Sequence, residues 1–260
     1  MSVLRVDGLS KDFGGVHAVL DFSFEVAEGA VHAIIGPNGA GKTTLFNLIT
    51  GLYQPSTGHI IFRDHRINGL APHERVRGGL ARTFQNLQVF LNMSAIENVL
   101  VAMHGFLDRR LLPALIGQSG RGRLEREARE EAAELMRFVG LEDYLEADSA
   151  GMPYGALKRL DIARALASRP ALLMLDEPAA GLNPAETGRI GALIRRIAET
   201  GVTVLLVEHD MKLVMDISDQ ILVLDYGRKL AEGTAETVRS DPYVIAAYLG
   251  SGAVGGSHAP

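Results

Sequence analysis

Along the 260-residue chain, apolar and polar positions follow three successive regimes. Through the first thirty-five residues they alternate in short runs, Val3-Leu4-Val6 and then Val19 to Val26, broken by Gly8, Gly14-Gly15 and Gly29. That pattern predicts an antiparallel β region. It leads into AVHAII (30–35), a continuous apolar strand, and then TTLFNLIT (43–50), whose helical spacing stops at Gly51. STGHIIFRDHRI (56–67) predicts a hairpin that extends the β region, with Gly58 opening the Ile60-Ile61-Phe62 run.

From about 92 to 165 the period becomes helical. NMSAIENVLVAM (92–103) offers Ser94 as an N-cap with Glu97 three residues on. RLEREAREEAAELMRFVG (123–140) sets Leu124, Ala128, Leu135 and Val139 along one face before a glycine stop, and its Arg/Glu positions read as a solvated face. Between them, GFLDRRLLPALIGQSGRG (105–122) reads as a short helix plus loop without legible function. The final third returns to buried strands, ALLMLDEP (171–178), VTVLLVEHD (202–210) and QILVLDYG (220–227), with a helix at 184–200 between the first two. Strand, helix, strand with apolar runs implies a parallel α/β sheet. Residues 250–260, GSGAVGGSHAP, read as a flexible tail, so the expected organisation is one domain over 1–249 with a helical subdomain at about 92–165.

Composition narrows the classes. Hydrophobic content of 47% with 22% charged residues excludes a mainly disordered chain. A net charge of −5 argues against a nucleic-acid surface spread over the molecule. The absence of cysteine removes disulfides, thiolate metal sites and a Cys nucleophile, and fits the cytosol. The longest uncharged apolar runs are strand length, so any membrane role is expected to come through a partner.

The chemistry concentrates at GPNGAGKTT (36–44), which fills the template G-x-x-x-x-G-K-[ST] at Gly36, Gly41, Lys42 and Thr43. The glycines Gly36, Gly39 and Gly41 let backbone N–H groups of a run that also holds Pro37, Asn38, Ala40 and Thr44 turn onto phosphates. Lys42 reaches the β/γ oxygens, Thr43 offers a hydroxyl to Mg²⁺, and the bound molecule is a nucleoside triphosphate. LLMLDEP then ends an apolar strand on two carboxylates: Asp176, placed to hold Mg²⁺, usually through water, and Glu177, placed to polarise an attacking water. Such a pair at the end of a buried strand calls for a compensating cation. His209 ends the next apolar strand, within reach of the γ-phosphate as a sensor.

Taken in order, these motifs resemble the nucleotide-binding subunits of ABC transporters over residues 3 to 249. GPNGAGKTT is similar to that family's Walker A, RTFQN (82–86) to its Q-loop, LLMLDEP to its Walker B and AAGLNP (179–184) to its D-loop. The resemblance implies a P-loop NTPase fold of the ABC ATPase type: α/β, with a mainly parallel core sheet, an antiparallel β subdomain and a helical subdomain. It also implies ATP and Mg²⁺ as ligands, with Gln85 on Mg²⁺ and Phe13 stacked on adenine. Glu177 is implied as the catalytic carboxylate and His209 as the switch histidine.

Where the family signature usually reads L-S-G-G-Q, this chain has Met152-Pro153-Tyr154-Gly155-Ala156, followed by KRLDIARAL (158–166). Proline has neither the serine hydroxyl nor an N–H. A γ-phosphate facing Pro153, Tyr154 and Gly155 from an opposing subunit would lose a charge-assisted donor of about 1.5–3 kcal/mol unless other N–H groups compensate. With RTFQN, EPAAGLNP and VLDYGRKLAEG, this signature resembles the LivG type of branched-chain amino acid importers, although Ala156 stands where that type usually has a polar residue. The resemblance implies two membrane permease subunits and a second, LivF-like ATPase, or a second copy of this chain, arranged head to tail. A substrate-binding protein acts indirectly, nucleic acid is not a partner, and the location is peripheral, on the cytoplasmic face of the inner membrane. Import of urea, amides or other small amino or carboxylic acids is the alternative, and a soluble ABC ATPase acting on nucleic acid or a protein assembly is a more distant one.

Overall fold

Two faces of one sheet organise the molecule, and the apolar strands show why. The computed structural model describes residues 1–103 and 118–249. In β3 (Val31–Ile35), Val31, Ala33 and Ile35 pack into one buried cluster and Ile34 into another. β7 (Leu172–Asp176), β8 (Thr203–Val207) and β9 (Gln220–Asp225) divide in the same way. A strand buried on both faces carries no polar alternation, and side chains of period two serve two cores. These strands form a six-stranded sheet in the order β10-β9-β3-β8-β7-β6, where β6 is Leu80–Arg82 and β10 is Arg228–Gly233. All its pairings are parallel except β9 with β10.

The alternating N-terminal segments form β1 (Ser2–Phe13) and β2 (Val16–Ala27), which pair antiparallel, and β4 (Thr57–Phe62) adds to the other edge of β1. With β5 (His65–Arg66) they make a four-stranded sheet in the order β2-β1-β4-β5. Helix α1 (Lys42–Ile49) lies between the two sheets, its Leu45, Phe46, Leu48 and Ile49 fully buried. After the short α2 (Pro72–Arg77), the buried Arg75 donates to the carbonyls of Leu48 and Ile49 and so covers the C-terminal end of α1.

The opposite face of the large sheet carries α3 (95–103), α4 (Gln118–Phe138), α5 (Tyr154–Leu166), α6 (Pro184–Glu199) and α7 (Met211–Ile217). The last described elements are α8 (Ala235–Ser240) and α9 (Pro242–Leu249). Ser94 and Glu97 form the expected reciprocal cap of α3. Asn183 and Glu186 cap α6 in the same way, with Pro184 in its first turn. The buried face of α4 and the residue just past it agrees with the expected one at Ala128 and Val139 and differs at the two leucines. Ala128, Ala132, Met136 and Val139 are buried, while Leu124 and Leu135 are only half-buried. The larger leucines flank this buried stripe. The tail at 250–260 and most of the 105–122 stretch lie outside the described residues. Among the described residues no helix is long and apolar enough to cross a membrane.

Candidate functional site

The phosphate loop leaves β3 at Ile35 and enters α1 at Lys42, and two of its glycines are sterically required. At Gly36 (φ 153°) a Cβ would stand 2.1 Å from the Leu224 carbonyl oxygen, and at Gly41 (φ 106°) 2.4 Å from that of Ala18. The loop is therefore pressed against β9 and β2 and presents its other side to a cleft of about 490 Å³. Asn38, Gly39, Ala40, Gly41, Lys42, Thr43 and Thr44 line that cleft, with Val16, His17 and Ala18 on one side and Gln85, Glu177 and His209 on another. Gly36 and Pro37 stand behind the loop and contribute carbonyls instead. Lys42 Nζ donates to Gly36 O at 2.6 Å and to Pro37 O at 3.0 Å. Burial lowers the pKa of this ammonium, and the nearby Glu177 and Asp176 carboxylates act against that shift.

At the far wall, three side chains from three strand ends converge. His209 Nε2 lies 2.8 Å from Glu177 Oε1, and Gln85 Nε2 donates to Glu177 Oε2 at 3.2 Å. Glu177 has a left-handed backbone (φ 50°), which costs a non-glycine residue about 1–3 kcal/mol. The surrounding turn is held by other contacts. Glu177 N donates to Val207 O at 2.9 Å, and Ala179 N donates to the Glu208 carboxylate at 2.7 Å. Glu208 itself is buried, and that burial pushes its carboxyl above the usual range despite the N–H groups it accepts. Sequence reasoning had no signal for this structural use of Glu208 beyond its place beside His209.

Asp176 lies beneath the cleft surface, where its Oδ2 accepts from Arg82 Nη2 at 2.7 Å. Arg82, which precedes the Gln85 loop, is therefore the compensating cation that the carboxylate pair called for. Lys158 of α5 adds a second positive group, donating to the Glu177 carbonyl at 3.1 Å. Phe13 does not line the cleft. It sits opposite Val16 in the β1–β2 ladder, edge to face with Tyr53 at 5.3 Å, so Val16 is the apolar neighbour at the cleft wall. Tyr226, in the β9–β10 turn, also lines the cleft, and nothing in its local sequence pointed to that position.

Pro153, Tyr154 and Gly155 form the start of α5, away from this cleft. They are seated on the 179–186 segment. A Cβ at Gly155 would stand 2.6 Å from Glu186 Oε1, and one at Gly181 would stand 3.2 Å from the Tyr154 ring. Tyr154 remains 46% exposed, so this N-terminal end of a thirteen-residue helix faces outward and is open to an opposing molecule.

Further along α5, burial pushes the Asp161 carboxyl up to about 6, with Arg164, the Gln88 N–H and Lys158 acting against it. The folded pKa thus exceeds the unfolded value of about 3.9, so the native state holds this proton longer. Between those two values the contribution of Asp161 to stability is lost as pH rises. In thermal unfolding, the Tm of Asp161→Asn relative to the parent should move in the variant's favour from pH 4 to 7; a pH-independent difference would contradict this.

A phosphate loop joined to a cluster of carboxylate, histidine and amide at adjacent strand ends of a mixed sheet defines a P-loop ATPase. The ABC transporter family profile matches residues 19–180, and the chain belongs to that family as an ATP-hydrolysing subunit. A second profile, the branched-chain amino acid ATP-binding cassette transporter, matches residues 228–254. Over 249 residues the chain is 49% identical to the high-affinity branched-chain amino acid transport ATP-binding protein BraF of Pseudomonas aeruginosa, covering 95% of this chain and 98% of that one. LivG of Escherichia coli K12, described in the same terms, is 45% identical with the same coverage. The solved ADP conformation of MJ1267, an ATP-binding cassette of an ABC transporter, superposes with a TM-score of 0.83 at 31% identity, covering 96% of this chain and 99% of that one.

Proposed function

We propose that this chain is the ATPase of an importer for branched-chain amino acids, bound peripherally to the cytoplasmic face of the cell membrane. The observation that carries the reading is the cleft itself, which Lys42 and the phosphate loop line together with the Glu177–Gln85–His209 cluster. The relatives named for branched-chain amino acid transport support the substrate class. Two permease subunits and a second ABC ATPase complete the assembly, and a substrate-binding protein delivers the amino acid from outside.

In this reading the phosphates of ATP replace the Gly36 and Pro37 carbonyls as partners of Lys42. Val16, with Phe13 beside it in the ladder, covers the adenine. Glu177 orients the attacking water and takes up its proton, while His209 and Gln85 fix the carboxylate and report on the γ-phosphate. Hard oxygen donors suit Mg²⁺, and Thr43 and Gln85 line the cleft where such donors are needed. Asp176, engaged by Arg82, would hold the ion through water. When bound there, Mg²⁺ would supply neutralisation of the phosphate charge that builds up in transfer. Lys42→Ala removes the charge-assisted contacts without opening the core. It should raise the Kd for ATP about 10–150-fold, measured by titration calorimetry, and an unchanged Kd would remove Lys42 from the phosphate site.

ATP closure of the head-to-tail pair is the driving step, because the closed pair binds nucleotide more tightly than the open one. Pro153 would then face the partner's ATP without a hydroxyl or N–H to offer, so the two ATP sites hydrolyse at different rates. Equal loss of activity on replacing either subunit's Walker B glutamate would count against that asymmetry.

The assembly is tested by tagging the chain in its native cell, solubilising membranes in mild detergent and identifying what co-purifies by mass spectrometry. Two multi-span proteins and a different ABC ATPase are expected, together with loss of leucine, isoleucine and valine uptake on gene deletion. Recovery from the soluble fraction alone with nucleic acid or a soluble assembly would overturn the transporter reading, and loss of urea or amide uptake instead would redirect its substrate.

A further inference from the structure

Three residues beyond Gln85 the chain crosses α5, and both backbone groups of Gln88 end on that helix. Arg164 Nη1 donates to the Gln88 carbonyl, and the guanidinium stacks on the Phe90 ring at 4.9 Å. Asp161, on the preceding turn of α5, pairs with Arg164 at 3.5 Å and accepts the Gln88 N–H. Phe90 is fixed from its other side by Asn98 of α3, which accepts its N–H at 2.8 Å and donates to its carbonyl at 2.9 Å. The segment from 86 to 91 has no helix or strand of its own, yet side chains from two helices hold the backbone of Gln88 and Phe90.

The two charges that grip it are largely removed from water, with side-chain exposures of 8% for Asp161 and 15% for Arg164. Apolar residues of similar volume commonly serve stability as well as a buried ion pair does. A fork that bonds a carbonyl, a carboxylate and an aromatic face together fixes geometry in a way that apolar packing does not. The chain between Gln85, on Glu177, and Gln88, on α5, is too short to absorb much displacement. Movement of the α5 anchor is therefore carried to the amide that touches Glu177.

We propose that Asp161 and Arg164 are positioning residues for ATP hydrolysis: by gripping the backbone at 88–90 they hold Gln85 against Glu177 and make the signature helix and that glutamine move together. Neither side chain lines the nucleotide cleft, so both act through the segment they hold. The inference rests on the reading of Gln85 and Glu177 as hydrolytic residues, and amide exchange, which is independent of turnover, tests the grip separately from that reading.

Two conservative full-length variants test it. Arg164→Lys keeps the charge but loses the fork and the stacking, and Asp161→Asn keeps an acceptor for the Gln88 N–H but loses the charge. In both, amide hydrogen exchange across 86–91 should rise by about tenfold, while β3, β7 and β8 exchange as in the parent. The Kd for ADP should stay within about twofold, and kcat at saturating Mg-ATP should fall by about tenfold, with the larger fall in Arg164→Lys. Parent-like exchange across 86–91 in Arg164→Lys would overturn the grip. Raised exchange with unchanged kcat would overturn the positioning role, and so would a loss of nucleotide affinity as large as the loss of turnover. If the grip is present but Glu177→Gln also leaves kcat unchanged, the failure lies with the assigned hydrolytic residues.

Discussion

Replacing Glu177 by glutamine is expected to lower ATP turnover by about 10²–10⁴-fold, the usual contribution of a positioned general base, while leaving the Kd for ATP within about twofold. The substitution preserves shape, and the glutamine can still face His209 Nε2 and Gln85 Nε2 across the present 2.8 and 3.2 Å contacts. What is lost is the capacity to accept a proton from water. The phosphate loop, which carries Lys42 and the backbone N–H groups proposed to hold the phosphates, lines another part of the cleft and is unchanged. Single-turnover hydrolysis alongside calorimetric ATP binding separates the two effects. A variant that hydrolyses ATP within tenfold of the parent would assign the base to another group, and one that fails to bind ATP would show that Glu177 is structural. The strained backbone at Glu177 gives a further reason for the choice of glutamine: a glycine there would relieve the φ of 50° and confound lost chemistry with changed stability.

The sequence was most readable where one physical rule acted over consecutive residues. Strands buried on both faces announced themselves as uninterrupted apolar runs, and the phosphate loop did so through glycines whose missing Cβ atoms the packing against Leu224 and Ala18 requires. Elements set by tertiary context were hidden. β6 has only three residues, Leu80–Arg82, too few for any periodicity, and it is a strand because β7 offers it an edge. The buried face of α4 was legible at Ala128 and Val139, while Ala132 and Met136, which complete it, were not singled out and Leu124 and Leu135 stay half-buried at its margins. In the site, Glu177 and His209 were legible at the ends of apolar strands, and Gln85 only through the family resemblance. Their mutual contacts were not, because they join positions 92 and 32 residues apart. Arg82 and Arg164 were invisible as partners for the same reason: an arginine in sequence carries no mark of the carboxylate it will neutralise.

Arg82 bears the largest expected effect on stability. Its guanidinium lies between Asp176 Oδ2 at 2.7 Å and Asn47 Oδ1 at 2.6 Å, with the rings of Phe46 and Phe84 stacked at 5.4 and 4.9 Å. The Arg82 and Asp176 side chains are only 6% and 7% exposed. Arg82→Met fills much of the same volume but leaves Asp176 buried beside apolar groups with no cation in contact. Breaking one side of such a pair typically costs about 3–5 kcal/mol. Urea denaturation at pH 7 should show a loss of that order. Adding Asp176→Asn to Arg82→Met removes the stranded charge and should recover part of the loss, so the double-mutant cycle would give a large coupling between the two sites. A loss below about 1 kcal/mol at pH 7, the size of an exposed ion pair, would show that water reaches Asp176 and that Arg82 is not its essential counter-charge.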